Sequence, residues 1–187
     1  DRDSVYLASD GKPGARGTMD APLATLDEAI ERAKALGKGT INVRGAVRLS
    51  RAVVIERDVR IVGGFDSSWE ERPGARTVLD LSAAPGDGGA FLRVRGARLS
   101  IEKLDIAARA TGSYSVIACE RASLAISSVG MTVSGGLDSC FFNVRESSLV
   151  LESSFLASTA SVTSRVVYAA DSRDRKSTRL NSSHGKL

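Results

Sequence analysis

The chain has one histidine, His184, and two cysteines, Cys119 and Cys140. Residues 1–173 therefore contain no imidazole, which excludes a Ser-His-Asp triad, a Cys-His pair and a histidine-ligated zinc site from that span. Cys119 and Cys140 are 21 residues apart, out of step with the 25-residue repeat described below. That offset argues against a disulfide, and two thiols are too few for a zinc knuckle. Carboxylates are the chemistry that remains. Glu102 and Glu152 occupy one position of the repeat, two units apart, with Ser127 between them. If equivalent positions stack on neighbouring parallel strands, their backbones lie about 10 Å apart. Their side chains then come within reach of the roughly 6.5–9.5 Å separation of an acid/base pair acting on a glycosidic bond. Lys103 and Asp105 lie beside Glu102. Glu102, Asp105 and Glu152 are thus the candidate catalytic carboxylates, and the same pattern also describes a solvated polar face.

Aromatic residues offer a second kind of chemistry. Phe91, Val116, Phe141 and Val166 are spaced 25 residues apart and alternate with an inward column led by Leu92. Alternation predicts that they point outward, where Phe91 and Phe141 could stack on a sugar or dock a protein. A bulge turning them inward is the alternative. Trp69, the only tryptophan, sits in an insertion at residues 63–76. It is either a sugar contact or the anchor of a lid. Gly63-Gly64 and the glycines of 86–89 fit neither a P-loop nor a dinucleotide fingerprint and read as turn residues.

The elements that must hold these residues follow from periodicity. Leu23, Leu26, Ala29, Ile30, Ala33 and Leu36 recur at helical spacing and predict a helix over residues 23–36. Asp27, Glu28 and Glu31 lie early and Arg32 and Lys34 late, as the helix dipole favours, and Gly37 ends it. Beyond Gly39 the apolar period becomes two, with strands predicted at 40–44, 53–56, 59–62 and 77–81. From Ala90 the chain repeats without gaps, new units starting at Ser115, Cys140 and Arg165. Leu92, Ile117, Phe142 and Val167 superpose, as do Leu99, Leu124 and Leu149, and Ile106, Met131 and Leu156. A unit this short cannot bury its own apolar face, whereas stacking units in register buries a shared column. No Asn-Gly or Asp-Gly hairpin signal separates the strands, which argues against a sandwich. Arg95, Glu120 and Arg145 share one outward position, and Arg121, Glu146 and Asp171 the next. Such alternation reads as a charge ladder along a solvated face.

The N-terminal half resembles a known family. Val5-Tyr6-Leu7, Ser9-Asp10-Gly11 and the segment GTMDAPLATLDEAIERA from Gly17 look like the start of secreted right-handed parallel β-helix proteins of the pectin-lyase-like superfamily. Gly17, Thr18, Pro22, Thr25, Leu26 and Ala29 match its lead into a capping helix, and VRIVGGF from Val59 resembles the strand and Gly-Gly turn that follow. The resemblance implies an all-β fold: a right-handed parallel β-helix of about 25 residues per coil with an N-terminal capping α-helix. It also implies an extracellular or cell-surface location. The superfamily includes lyases that hold Ca²⁺ on acids with an Arg or Lys base, hydrolases with clustered Asp residues, and members without activity. This chain has no Asp-Asp pair and no tight Asp/Glu/Arg cluster of that kind.

The formal charge of +4 invites a nucleic-acid reading. Its source argues otherwise. Removing Asp174, Arg175, Lys176, Arg179 and Lys186 from 26 basic and 22 acidic residues leaves 22 and 21. Residues 174–184, DRKSTRLNSSH, resemble one reading frame of a short-read sequencing adapter, so residues 174–187 are expected to be an artefactual tail after a truncated chain. No apolar run reaches the length of a transmembrane span. The expected organisation is an N-terminal strand and loop at 1–22, a capping helix at 23–37, β-helix coils at 38–173 and the tail. The expected role is a noncatalytic scaffold or binding module without a cofactor, its partner a polysaccharide or another surface protein. The alternative is a polysaccharide lyase or glycoside hydrolase, with Ca²⁺ in the lyase case, whose site lies mainly in further C-terminal coils.

Overall fold

The computed structural model describes residues 3–82, 89–159 and 163–170. The glycines at 86–88, Asp171 of the second charge column and the tail at 174–187 lie outside the described residues. The fold is mostly β, with one helix and parallel sheets.

The chain opens with β1 (Ser4–Ala8), buried along its whole length. Helix α1 (Leu26–Leu36) follows. It begins three residues later than its apolar spacing predicts, because Leu23 is engaged as an extended residue. Leu23 N–H donates to Tyr6 O and Ala8 N–H donates to Leu23 O. Thr25 is still extended, with φ −130° and ψ 152°. At the other end Gly37 takes the left-handed conformation (φ 68°), so that Lys38 N–H reaches Ala33 O at 2.9 Å. The buried face of α1 carries Leu26, Asp27, Ala29, Ile30 and Ala33 and lies against β1 and β2 (Thr40–Arg44). Asp27 is a charged residue on that face. Its carboxylate accepts from Ser50 N–H at 3.0 Å and Ser50 Oγ at 2.8 Å, with Arg51 Nε 3.6 Å away. Burial raises its pKa, and the Ser50 donors outweigh that and hold it below the ordinary aspartate value.

Two short strands, β3 (Ala46–Arg48) and β4 (Val53–Ile55), follow β2, and then come β5 (Val59–Phe65), β6 (Val78–Leu81) and β7 (Ala90–Arg95). The regular part comprises β8 (Arg98–Arg109), β9 (Ser113–Glu120), β10 (Ser123–Ser134), β11 (Asp138–Arg145), β12 (Ser148–Glu152), β13 (Phe155–Thr159) and β14 (Thr163–Ala170). One sheet runs β1-β2-β5-β8-β10-β12, with β3, β6 and β13 joined to it, and the second runs β14-β11-β9-β7-β4. Every pairing between these strands is parallel. The repeat is also the pairing register: Leu99, Leu124 and Leu149 are successive partners, as are Leu92, Ile117, Phe142 and Val167. Equivalent apolar residues therefore stack into one core running from Val5 to Val144.

The long strands β8 and β10 bend where a non-glycine residue has positive φ. Lys103 (57°) and Ser128 (55°) are the bends, and Ser153 (47°) makes the same bend between β12 and β13. A left-handed residue breaks the two-residue alternation. Ile101 and Leu104 are buried, and Glu102 and Lys103 between them both face away from the core. Gly63 explains its own glycine. A Cβ there would lie 2.5 Å from Lys103 O, so no side chain fits where β5 crosses the bend of β8.

The expected outward ladder of Phe91, Val116 and Phe141 is not outward. Phe91 and Val116 are fully buried and Phe141 is 2% exposed. The pairing explains the difference: Ala90 pairs with Ser115 and Leu92 with Ile117, while Phe91 and Val116 fall out of the ladder between them, and Phe141 does the same. The pleat is interrupted at this position, so two consecutive side chains turn into the core, as a bulge does. Phe91 meets Tyr114 edge-to-face at 5.5 Å, and Phe141 lies 6.4 Å from Phe142. Phe91 and Phe141 are thus core residues and not a sugar platform. Val166, on the outermost strand β14, is exposed.

Candidate functional site

Among the described residues, three concavities offer room for a ligand. The first lies beside the bend at Lys103, and none of the three sequence-predicted carboxylates lines it. Glu102 is paired in register with Ser127, which pairs with Glu152, so the expected column exists. Its chemistry is different from an acid/base pair. Arg60 grips Glu102 with two parallel bonds, Nε to Oε1 at 2.8 Å and Nη2 to Oε2 at 2.7 Å. The guanidinium holds Glu102 below the ordinary glutamate pKa, and the carboxylate raises that of Arg60. A group kept ionised in this way is a poor proton donor near neutrality. Asp105 faces Arg76 Nε at 3.4 Å, and Lys103 pairs with Glu71. Glu152 ends β12 and is exposed. The structure places Glu102 and Asp105 in ion pairs with the 60–76 region and leaves Glu152 two strand spacings from Glu102, about 10 Å. The hollow itself, about 380 Å³, is lined by Gly64, Glu71, Arg72, Lys103 and Ser128.

Trp69 is engaged from several sides. Its Nε1 donates to Met19 O at 3.2 Å, and its ring meets Tyr6 edge-on at 4.8 Å. Arg44 lies over the ring, 4.6 Å from its centroid, while its guanidinium grips both oxygens of Asp10 at 2.9 Å and donates to Ser67 O. Asp66 organises the turn from within, accepting from Ser68 N–H at 2.8 Å and Glu70 N–H at 3.1 Å and pairing with Arg72 at 2.6 Å. Trp69 therefore fastens the insertion onto the N-terminal segment.

The second concavity, about 640 Å³, is an open groove along the turns between the two sheets. Asp58, Arg98, Arg121, Ser123, Glu146 and Ser148 line it. Gly96, Arg121 and Glu146 stack there with positive φ, and Arg95 and Glu120 of the neighbouring column pair at 3.6 Å. The groove mixes both signs of charge and has no aromatic wall.

The third, about 240 Å³, was not singled out from the sequence. Asp138, Cys140, Asn143, Arg165 and Tyr168 converge there with Ser115. Asp138 Oδ2 lies 3.9 Å from Arg165 Nη2. Asp138 Oδ1 is buried and has no hydrogen-bond partner among the described residues. Cys140 is a free thiol that donates to Phe142 O at 3.1 Å, and burial pushes its pKa up. The repeat held a signal for this cluster: Cys140 pairs with Arg165 and Asn143 with Tyr168. Polar and aromatic residues thus stand side by side at equivalent positions of β11 and β14.

Cys119 is free and buried in the inward column, and burial pushes its thiol up to about 12. Among the described residues no three His, Cys, Asp or Glu side chains converge as a metal-ligand set, and no helix is long and apolar enough to cross a membrane. Comparison with protein-family models, curated proteins and solved structures finds no match.

Proposed function

We propose that the chain is a right-handed parallel β-helix that serves as a noncatalytic, extracellular or cell-surface scaffold and binding module, its partner a polysaccharide. The 25-residue pairing register supports the coil, because Leu99, Leu124 and Leu149, or Leu92, Ile117 and Phe142, meet only if successive units stack in parallel. Helix α1 supports an N-terminal cap, since its buried face covers the end of the column and shields strand edges from other chains.

The observation that supports the noncatalytic part is the pair of hydrogen bonds that Arg60 donates to Glu102. The carboxylate best placed for acid/base work is committed to a structural partner, and Asp105 beside it faces Arg76. The test is incubation of the protein with a panel of acidic and neutral polysaccharides, with and without calcium. New reducing ends and unsaturated products are measured. No product is expected in any condition. Product formation that stops on chelation would establish the lyase alternative, and chelator-resistant release of reducing ends would establish a hydrolase. A companion test addresses the charge argument: residues 1–173 are expected to show no salt-sensitive binding to duplex DNA.

A further inference from the structure

We infer that Asp10-Gly11 is a site of spontaneous backbone isomerisation, and that the grip of Arg44 on Asp10 keeps it unreacted in the folded chain. The inference is independent of the scaffold reading, because it concerns the backbone's own chemistry.

The dipeptide carries its own reaction. The Gly11 amide nitrogen attacks Asp10 Cγ and a C–N bond forms. The carboxyl hydroxyl and the amide proton leave as water, and a five-membered succinimide results. Water then opens the ring at either carbonyl. Opening at the former main-chain carbonyl gives isoaspartate, in which the chain runs through Cβ and Cγ and the α-carboxylate hangs free. The mass is unchanged and no other reactant is needed. Glycine makes the step fast, since no Cβ shields the attacking nitrogen. The fold requires glycine here: a Cβ at Gly11 would lie 2.0 Å from Leu23 O and 2.9 Å from Ala8 O. The liability is therefore built into the packing of this turn against Leu23.

Two contacts oppose the reaction. Arg44 Nη2 donates to both carboxylate oxygens of Asp10 at 2.9 Å and holds the group below the ordinary aspartate pKa. The leaving group is a hydroxyl, so the ionised carboxylate resists cyclisation. Arg44 is itself fixed: its guanidinium also donates to Ser67 O and lies over Trp69, and its side chain is only 15% exposed. The Asp10 side chain is 69% exposed and would turn freely without that grip. The second contact is Gly11 N–H donating to Ala8 O at 2.9 Å, which closes a turn with no left-handed residue. In such a turn ψ of Asp10 is about 0°, leaving the Gly11 nitrogen about 120° from eclipsing Cβ, whereas ring closure needs the two eclipsed.

The product acts beyond the turn. Isoaspartate lengthens the backbone where Gly11 has no room beside Leu23 O, and it shortens the carboxylate arm by one carbon. Arg44 then loses the partner that steadies it over Trp69, the side chain that fastens the insertion to the N-terminal segment. Ageing at Asp10 is thereby coupled to release of the insertion.

The test ages the whole chain in native buffer and in urea and digests both samples with trypsin. Arg2 and Arg16 bracket a peptide of residues 3–16, since Lys12 precedes Pro13 and is not cut. Electron-transfer fragmentation reads the isoaspartate fraction at residue 10. The expected native rate is at least about tenfold below the rate in urea, and Arg44→Ala is expected to raise the native rate about tenfold. Should Arg44→Ala lose the native circular dichroism spectrum, Arg44→Lys decides the matter: an ammonium cannot reach Asp10 and Ser67 O together, and about threefold acceleration is expected. Isomer-rich protein is expected to show red-shifted emission from Trp69, the only tryptophan. Equal rates in native buffer and in urea overturn the guarded site. Folded Arg44 variants that age no faster than the parent overturn the role of Arg44. Unchanged Trp69 emission in isomer-rich protein overturns the coupling to the insertion.

Discussion

Replacing Phe91 by alanine tests where the phenylalanine ladder points. The ring is fully buried and contacts Tyr114 edge-to-face. An aromatic side chain buries at least about 150 Å², so at about 25 cal/mol per Å² its removal forfeits roughly 3–4 kcal/mol, less what the alanine methyl retains. The lost ring contact contributes about 0.5–1.5 kcal/mol, and the void left in a stacked column adds more. The expected loss is about 3–5 kcal/mol, within the range measured for buried phenylalanines. With a urea m value of about 2 kcal/mol/M, the unfolding midpoint falls by roughly 1.5–2.5 M at unchanged m. Phe155→Ala supplies the contrast, because that ring is 60% exposed on β13 and its loss is expected to cost under about 0.5 kcal/mol. Circular dichroism during urea titration reads both variants. Equal, small shifts for Phe91→Ala and Phe155→Ala would refute the inward turn and return the ladder to the surface.

Four further substitutions and reagents probe the packing and ion pairs of the fold. Asp27→Ala is expected to cost about 1.5–3 kcal/mol, because Ser50 loses a charged acceptor on the buried face of α1. The folded pKa of Asp27 is lowered, so its contribution is complete above the unfolded value near 4 and disappears as pH falls through the folded value; the pH dependence of the urea midpoint should flatten in Asp27→Asn. Gly63→Ala forces a Cβ to within 2.5 Å of Lys103 O and is expected to cost well over 1 kcal/mol, whereas at Gly74 the added methyl meets open space and the positive φ alone costs about 1 kcal/mol; thermal melts of the two variants give the order. Cys119, buried with its thiol pushed up to about 12, is expected to resist a thiol reagent at pH 8 until the chain unfolds, and rapid labelling of the native protein at Cys119 would contradict its burial. Glu102→Gln removes the partner of Arg60 at the surface and is expected to cost no more than about 1 kcal/mol, with salt reducing the difference in a melting experiment.

What could be read along the chain was whatever the repeat governs. The partners of Leu99, Leu124 and Leu149 follow from a period of 25 residues, because equivalent positions on stacked units must meet. The helix with its apolar face and Gly37 stop was legible for a similar reason: propensity, spacing and capping all act within a few residues. Its first turn was misplaced because Leu23 answers to Tyr6 and Ala8, a contact across the chain that outweighs local spacing. The expectation for residues 174–187 rests on their residue order alone, and they lie outside the described residues.

Tertiary structure decided the rest. Arg60 meets Glu102 only because β5 pairs with β8 at an offset near 40 residues, where the insertion has broken the period. Trp69 is an anchor because Tyr6, Met19 and Arg44 arrive from three separate segments. The phenylalanine ladder turned inward at an interruption of the pleat that no alternation rule contains, since the rule assumes an unbroken strand. A repeat specifies which residues are neighbours on the stack. The direction of each side chain and the groups that share a hollow with Asp138 depend on the three-dimensional path of the backbone, and that path is set by all the contacts together.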